Sequence, residues 1–214
     1  MKLNLERSFI TDILLKPLAS ILLLVFFRLS VKGARKLPRK GGFIVAGNHI
    51  SDMDPPVAGV AVPRASFFMA KSELFRNPIS GSFLRLMGAF PVYRRASVNS
   101  DALKTAEKVV KSGKVLIIFP EGTRTKDGKM LPAKAGVGYI AINTGAPVCP
   151  FWISGTDNPV GALLFKHRFR VVFGDPITPE TVSALNEQGG PKKIAEYIMD
   201  KVKEIKETNT KGAL

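Results

Sequence analysis

The stretch "KVLIIF", residues 114–119, decides the fold. It is apolar without alternation, which a strand can be only if both of its faces are covered. Strands buried on both sides belong to parallel sheets sandwiched between helices, so the segments around this one are expected to alternate. They do. Upstream, "GFIVAGN" (42–48) is a second short apolar run, and a helix is expected from Pro55; "GAFPVYR" (88–94) reads as a third strand. Between them and the opening stretch, Asn99 or Ser100 caps a segment with Leu103, Ala106, Val109 and Val110 at helical spacing, stopped by Gly113. Downstream come a turn signal at "KDGK" (126–129), a helix around Val137–Thr144, and the strands "PVCPFWI" (147–153) and "FRVVFGD" (169–175). Thr178-Pro179 opens a further helix, and Ile194, Ile198, Val202 and Ile205 stripe the last one. The expectation is an α/β fold with a largely parallel central sheet flanked by helices. No internal repeat is visible.

Composition bounds the chain to one compact unit. At 214 residues and 45% hydrophobic content, it is long enough to bury roughly 70% of the surface its unfolded form exposes. Lys and Arg number 32 against 17 Asp and Glu, a net charge of +15, so the partner is a polyanion: nucleic acid, anionic lipid or a phosphorylated substrate. The single cysteine, Cys149, excludes an intrachain disulfide and a cysteine-built zinc site; within the apolar run 147–153 it reads as an inert buried thiol. A nucleic-acid binder is disfavoured, for there is no basic helix-turn-helix pattern, no aromatic RNA-binding strand and no zinc spacing.

The N-terminus selects lipid. "PLASILLLVFF" (17–27) is uncharged for eleven residues, about 16 Å as a helix against a hydrocarbon core of about 30 Å. It is too short to span. Extending it back to Phe9 brings in Asp12 and Lys16, and residues 1–40 hold nine bases and two acids, a net of +7. A hydrophobic segment so flanked suits a helix that dips into one leaflet and is held by anionic headgroups, or else a buried core helix. The basic stretch that follows lacks a small-x-small cleavage site, against a signal peptide. Two regions result: residues 1–34 as N-terminal membrane-anchoring helices and 35–214 as the α/β domain.

Ligands of open α/β sheets bind beyond the carboxyl ends of the strands. His49, Arg94 and "PEGTR" (120–124) all follow strands directly, so three polar clusters gather at one edge. Asp54 followed by Pro55 is a common helix start, with Asp as N-cap and Pro at the first helical position. That reading leaves His49 unexplained. Residues five apart on a regular helix diverge, so a His49–Asp54 contact requires the chain to turn between them. A carboxylate on one imidazole nitrogen fixes the tautomer and leaves the other nitrogen to take a proton. On spacing alone, general base and capping loop stay equally open. His167, in "FKHRFR", has no such neighbour and reads as part of a solvated basic stretch. In "FPEGTR", Gly122 allows close backbone approach and Arg124 can grip phosphate in a bidentate way.

Taken together, these residues resemble the glycerolipid acyltransferases, specifically the 1-acyl-sn-glycerol-3-phosphate (lysophosphatidic acid) acyltransferases. The family's Asn-His-x-Ser-x-x-Asp is matched by Asn48, His49, Ser51 and Asp54; its Gly-centred strand ending in Arg by Gly88 and Arg94; its Phe-Pro-Glu-Gly-Thr-Arg by residues 119–124 in full; its Pro-containing apolar strand by "PVCPFWISG" with Pro150. "KSELFRNPISG" (71–81), with Lys71 and Glu73, is similar to the segment between the first two motifs. The match runs over residues 35–180 in order, with Thr125 where Ser is common and Cys149 and Phe151 in place of aliphatics.

The resemblance implies transfer of a fatty acyl group from a thioester to the 2-hydroxyl of 1-acylglycerol 3-phosphate, giving phosphatidic acid. His49 would take the hydroxyl proton and Asp54 would hold the ring. Arg94, Arg124 and Lys71 would bind the phosphate, with Glu121, Gly122 and Thr123 in the acceptor-binding motif and an N–H near Gly122 facing the oxyanion. It implies no metal and no cofactor beyond the co-substrate, acyl-CoA or acyl-acyl carrier protein. It also implies membrane lipids as partners and a monotopic place on the cytoplasmic face, at the inner membrane in a bacterium. Another acceptor, such as glycerol 3-phosphate or another lysophospholipid, and a non-catalytic lipid-binding protein are the alternative functions.

Overall fold

A computed structural model describes residues 15–92, 100–125 and 129–210. Arg94, Asn99, most of the expected turn at 126–129 and the N-terminal extension back to Phe9 lie outside the described residues.

Seven strands form one sheet: β1 (Ser30–Lys32), β2 (Phe43–Gly47), β3 (Ser66–Lys71), β4 (Ala89–Val92), β5 (Val115–Ile118), β6 (Val148–Ser154) and β7 (Arg170–Phe173), in the order β1-β7-β6-β2-β5-β3-β4. From β6 to β4 all pairings are parallel. β7 runs antiparallel to β6, and β1 lies parallel to β7, so these two strands form a reversed pair at one edge. Since β1 already pairs in the sheet, the sheet reaches back across the boundary expected between residues 34 and 35.

The opening expectation, a sheet covered on both faces, is met strand by strand. In β2, Ile44 and Ala46 face one core layer while Phe43 and Val45 face the other; in β5, Leu116 opposes Val115 and Ile117. Both strands are almost wholly buried, the condition under which apolar residues can occupy successive positions without exposing a face to water.

One face is covered by α4 (Ser100–Lys111), α5 (Gly136–Thr144) and α7 (Pro179–Thr210). The expectation of two C-terminal helices holds: inside α7, Gly189 and Gly190 leave helical geometry, with Gly190 at φ 68°, and Pro191 starts the second segment, whose Ile194, Ile198 and Val202 are buried. The helices α5 and α7 meet at Gly138, where a Cβ would lie 2.1 Å from the Pro191 carbonyl oxygen. The other face is covered by α1 (Lys16–Phe26), α2 (Asp54–Ala61), α3 (Pro78–Leu86) and the short α6 (Pro159–Leu163). No helix among the described residues is long and apolar enough to cross a membrane.

Two strands and two helices escaped the sequence reading. β1 is three residues long, and β3, "SFFMAK", offers only two aromatics before Met and Ala, which favour helix as readily as strand. The helix α3 carried a usable signal, Asn77-Pro78: Asn77 accepts from Ile79 N–H at 2.9 Å and Ser80 N–H at 3.2 Å, with Pro at the first helical position. Asn158-Pro159 opens α6 in the same way, with Asn158 accepting from Gly161 N–H at 2.8 Å.

Candidate active site

The parallel strands present their carboxyl ends at one edge, and the candidate residues gather there. His49 follows β2, Glu121–Arg124 follow β5, and Lys71 ends β3. The first link is Asn48. Its side-chain amide donates to the Ile153 carbonyl at 2.9 Å and its oxygen accepts from Ile153 N–H at 2.9 Å. This buried amide copies a backbone pairing and continues the β2–β6 ladder past Gly47↔Phe151. Gly47 itself is pressed against the Phe151 carbonyl, 2.5 Å from where a Cβ would sit. The chain therefore leaves β2 in a fixed direction at His49.

His49 is then held from both sides of its peptide. Its N–H donates to Glu121 Oε1 at 2.9 Å, and its carbonyl accepts from Thr125 N–H at 3.0 Å. The second Glu121 oxygen accepts from Leu131 N–H at 2.7 Å. Glu121 is thus turned inward, 2% exposed; burial raises its pKa, partly offset by the two backbone donors. Its carboxylate locks the His49 loop to the loop after β5, while Gly122, Thr123 and Arg124 stay exposed. The Gly122 N–H donates to the Phe119 carbonyl at 3.0 Å, so this N–H is engaged within the turn.

The imidazole lies on the Phe119 ring, centroids 4.4 Å apart and 23° between planes, and Phe119 meets Phe151 edge-on at 6.0 Å. Nδ1 is 2.8 Å from Asp54 Oδ2. The same oxygen accepts from Ile50 N–H at 2.6 Å and Ser51 N–H at 2.8 Å, and Oδ1 accepts from Thr156 Oγ at 2.5 Å. Asp54 is fully buried, and its two oxygens meet all four of these donors, so each polar atom of the buried side chain is satisfied. The helix-start reading of Asp54 is corrected by this geometry: α2 begins at Asp54 with Pro55 behind it, but no side chain caps it. The carboxylate turns back over residues 49–51 instead, because those N–H groups and the imidazole all converge on it. With Asp54 as acceptor, Nδ1 carries the proton and Nε2 is the basic nitrogen. Nε2 has no hydrogen bond to any described residue, and the His49 side chain is 17% exposed.

Arg124 reaches back to the same loop, its guanidinium 2.5 Å from Asp52 Oδ2, with both side chains well exposed. Lys71 is exposed at the end of β3. Cys149 is buried in β6, and burial pushes its thiol up to about 12; it is no nucleophile at neutral pH. Among the described residues no cluster of three or more His, Cys, Asp or Glu could hold a metal ion. His167, expected in a solvated stretch, is half-buried instead, with Nε2 3.1 Å from the Gly155 carbonyl. Thr156 is the site residue that sequence reading missed. It lies 102 positions from Asp54, and only the register of β6 beside β2 brings it there.

The profile of the family described as Acyltransferase matches residues 28–154. A 1-acyl-sn-glycerol-3-phosphate acyltransferase of Bacillus subtilis is 33% identical over 185 residues, 83% of this chain and 90% of that protein. The yeast (Saccharomyces cerevisiae) protein of the same name is 30% identical over 184 residues, 82% of this chain and 60% of its own. Among solved structures, the 1-acyl-sn-glycerophosphate acyltransferase PlsC of Thermotoga maritima superposes with a TM-score of 0.66 at 31% identity, covering 89% of this chain and 76% of that one. The resemblance carried by the four motifs is borne out, and the chain belongs to the glycerolipid acyltransferase family.

Proposed function

We propose that this chain transfers a fatty acyl group from a thioester to the sn-2 hydroxyl of 1-acyl-sn-glycerol 3-phosphate, forming phosphatidic acid. The observation that carries the reading is the His49–Asp54 pair: Nδ1 fixed at 2.8 Å on a buried, fully bonded carboxylate, with Nε2 left for substrate. In the reaction Nε2 removes the proton of the 2-hydroxyl as its oxygen attacks the thioester carbonyl. Asp54 stabilises the imidazolium so formed. As the tetrahedral intermediate collapses, the C–S bond breaks and the imidazolium returns the proton to the departing thiolate. The acyl group thus moves directly, which agrees with a thiol at Cys149 that stays protonated.

Arg124, Lys71 and Arg94 bind the acceptor phosphate, with Gly122 and Thr123 lining its approach. Glu121 serves that motif from within, by holding the His49 main chain. The donor is acyl-CoA or an acyl-acyl carrier protein, both of which offer a phosphorylated carrier to a basic surface, and no metal or further cofactor takes part. Acceptor and product are bilayer lipids. The exposed Leu18, Ile21, Leu22, Leu24, Val25 and Phe26 of α1 enter one leaflet as the anchoring part of residues 1–34, while β1 stays in the sheet, so the enzyme sits monotopically on the cytoplasmic face of its membrane.

Acyl transfer in detergent or liposomes, from either thioester to 1-oleoylglycerol 3-phosphate with product mass as readout, tests the reaction. Wild type is expected to make phosphatidic acid and His49→Ala to lose about a hundredfold or more. A His49→Ala protein that keeps its rate would sink the general-base role. A wild type silent with both donors would sink the acceptor assignment.

A further inference from the structure

Two non-glycine residues with positive φ occur among the described residues, Arg28 at 47° and Phe165 at 60°. They are 137 positions apart and they touch. The Arg28 guanidinium donates to the Phe165 carbonyl at 3.0 Å and to the His167 carbonyl at 2.6 Å, and it lies over the Phe165 ring, 5.2 Å from the centroid. A left-handed backbone costs a non-glycine residue free energy and persists where its surroundings over-determine it. Here both members of one clasp carry that cost.

The clasp holds an apolar tip outward. Gly161 and Ala162 bury the inner side of α6, and Asn158 caps its start. His167 fixes the exit of the loop through the Gly155 carbonyl at 3.1 Å. On the outer side Val160, Leu163, Leu164 and Phe165 are 65%, 47%, 60% and 65% exposed. Four neighbouring apolar side chains presented to water by a braced loop form a patch that wants a partner. The chemistry of the rim says which one. Between Asp157 and Asp175 there is no acid, while Lys166, Arg168 and Arg170 are basic and Arg28 sits over the ring. Apolar tip and cationic rim together match the boundary between acyl chains and anionic headgroups. The tip is also tied to the end of α1 from beneath: Phe27, next to Arg28, stacks on the buried Phe169 at 4.6 Å, and its carbonyl accepts from Phe169 N–H at 3.1 Å.

We infer that the α6–Phe165 tip is a second lipid-inserting contact, locked to the end of α1 by Arg28 and seated on an anionic leaflet. The inference rests on the membrane reading of α1 proposed above. Two contacts from opposite ends of the sequence set the enzyme's orientation on the bilayer, where a single helix would leave it free to roll. The residues of the tip lie outside the His49 site, so the contact acts on lipid docking and leaves the chemistry alone.

Sedimentation of the full chain with vesicles of phosphatidylglycerol and phosphatidylcholine tests this, comparing wild type, Leu164→Ser/Phe165→Asn in the tip and Leu22→Ser/Val25→Ser in α1. Asn is used at 165 because it tolerates the left-handed backbone. The tip variant is expected to lose about tenfold or more in vesicle partition while its thermal melt holds. In a Phe165→Trp protein, emission should shift to the blue on vesicles and be quenched by brominated lipid, since the native Trp152 is already buried. A folded tip variant that partitions within about twofold of wild type, beside an α1 variant that does not, overturns the tip contact and leaves the membrane reading standing. A wild type that ignores vesicles overturns both. A tip variant that changes oligomeric mass without lipid, and not vesicle partition, makes the tip a contact between copies and overturns the inference.

Discussion

Asp54 accepts from four donors in a space with no water contact, and each donor makes a different demand on its replacement. Asn in its place keeps the shape but offers one acceptor oxygen and an N–H₂ that faces other N–H groups. Asp54→Asn is therefore expected to lower kcat by about a thousandfold or more, because the imidazole loses both its tautomer lock and its counter-charge. Steady-state turnover checks it, and a loss under about tenfold would show that Asp54 is only a brace. Thr156→Val deletes one donor and is expected to lower kcat far less, with KM for the acceptor unchanged. Arg124 raises the opposite question, since its guanidinium already holds Asp52 at 2.5 Å. A solvated ion pair contributes at most about 1 kcal/mol, so under the proposed phosphate role of Arg124 the acceptor's dianion would displace the carboxylate. Asp52→Asn should lower KM for lysophosphatidic acid by up to about fivefold at unchanged kcat; a rise in KM would mean that Asp52 positions Arg124. The His49–Asp54 contact was legible because both partners fall in one short motif. Thr156 was not, since a threonine after a strand has no local mark that says which carboxylate it meets.

Among elements, the loops after β2 and β5 behave as one part, and Glu121 is their rivet. Glu121→Gln leaves one of two backbone donors, on His49 or on Leu131, facing an N–H₂ group. This is expected to cost about 1–3 kcal/mol of stability, visible in urea titration, and to lower turnover with it because the His49 peptide loosens. Strands buried on both faces, such as β2 and β5, were legible as unbroken apolar runs. β3 was not: it needs its neighbours β5 and β4 to become a strand, and its end merges into Lys71 and the turn Ser72–Phe75. The inward turn of Glu121 was equally hidden, because "PEGTR" reads the same whether its acid faces a ligand or the protein's own backbone. β6 supplies a pH test. The Cys149 thiol, ordinarily near 9.0, is held by burial at about 12. On unfolding it would ionise from about pH 9 upward while the native thiol stays protonated, so stability is full below that pH and is lost as pH rises through it. The urea midpoint of wild type should fall more steeply above pH ~9 than that of Cys149→Ala, and equal slopes would refute burial as the cause.

At the scale of the whole molecule, the proposed membrane contact would draw on both charge and apolar surface. The net +15 could be read alone as a footprint for nucleic acid; the apolar, basic-flanked N-terminus points to lipid instead, and the four motifs point to a phospholipid acceptor. The fold adds what composition could not: one sheet face carries α1, α2, α3 and α6, and the exposed Ile79 and Phe83 of α3 lie there with α1 and the α6 tip. The reversed pair β1–β7 connects this layer to the sheet, because Ser30 N–H reaches the Phe169 carbonyl at 2.9 Å and joins the end of α1 to the strand that follows the tip. These two sources of attachment respond differently to salt. Raising ionic strength from about 0.1 M to 1 M shortens the Debye length from about 10 Å to about 3 Å and removes most of the charge attraction. It leaves apolar insertion intact. Binding to phosphatidylglycerol vesicles is expected to fall several-fold across that range and then level off, while any binding to duplex DNA should vanish, as counterion release demands. Co-sedimentation at stepwise salt reads both. A vesicle curve as steep as the DNA curve would mean that the exposed leucines and phenylalanines never enter the leaflet and that charge alone holds the enzyme to its substrate's membrane.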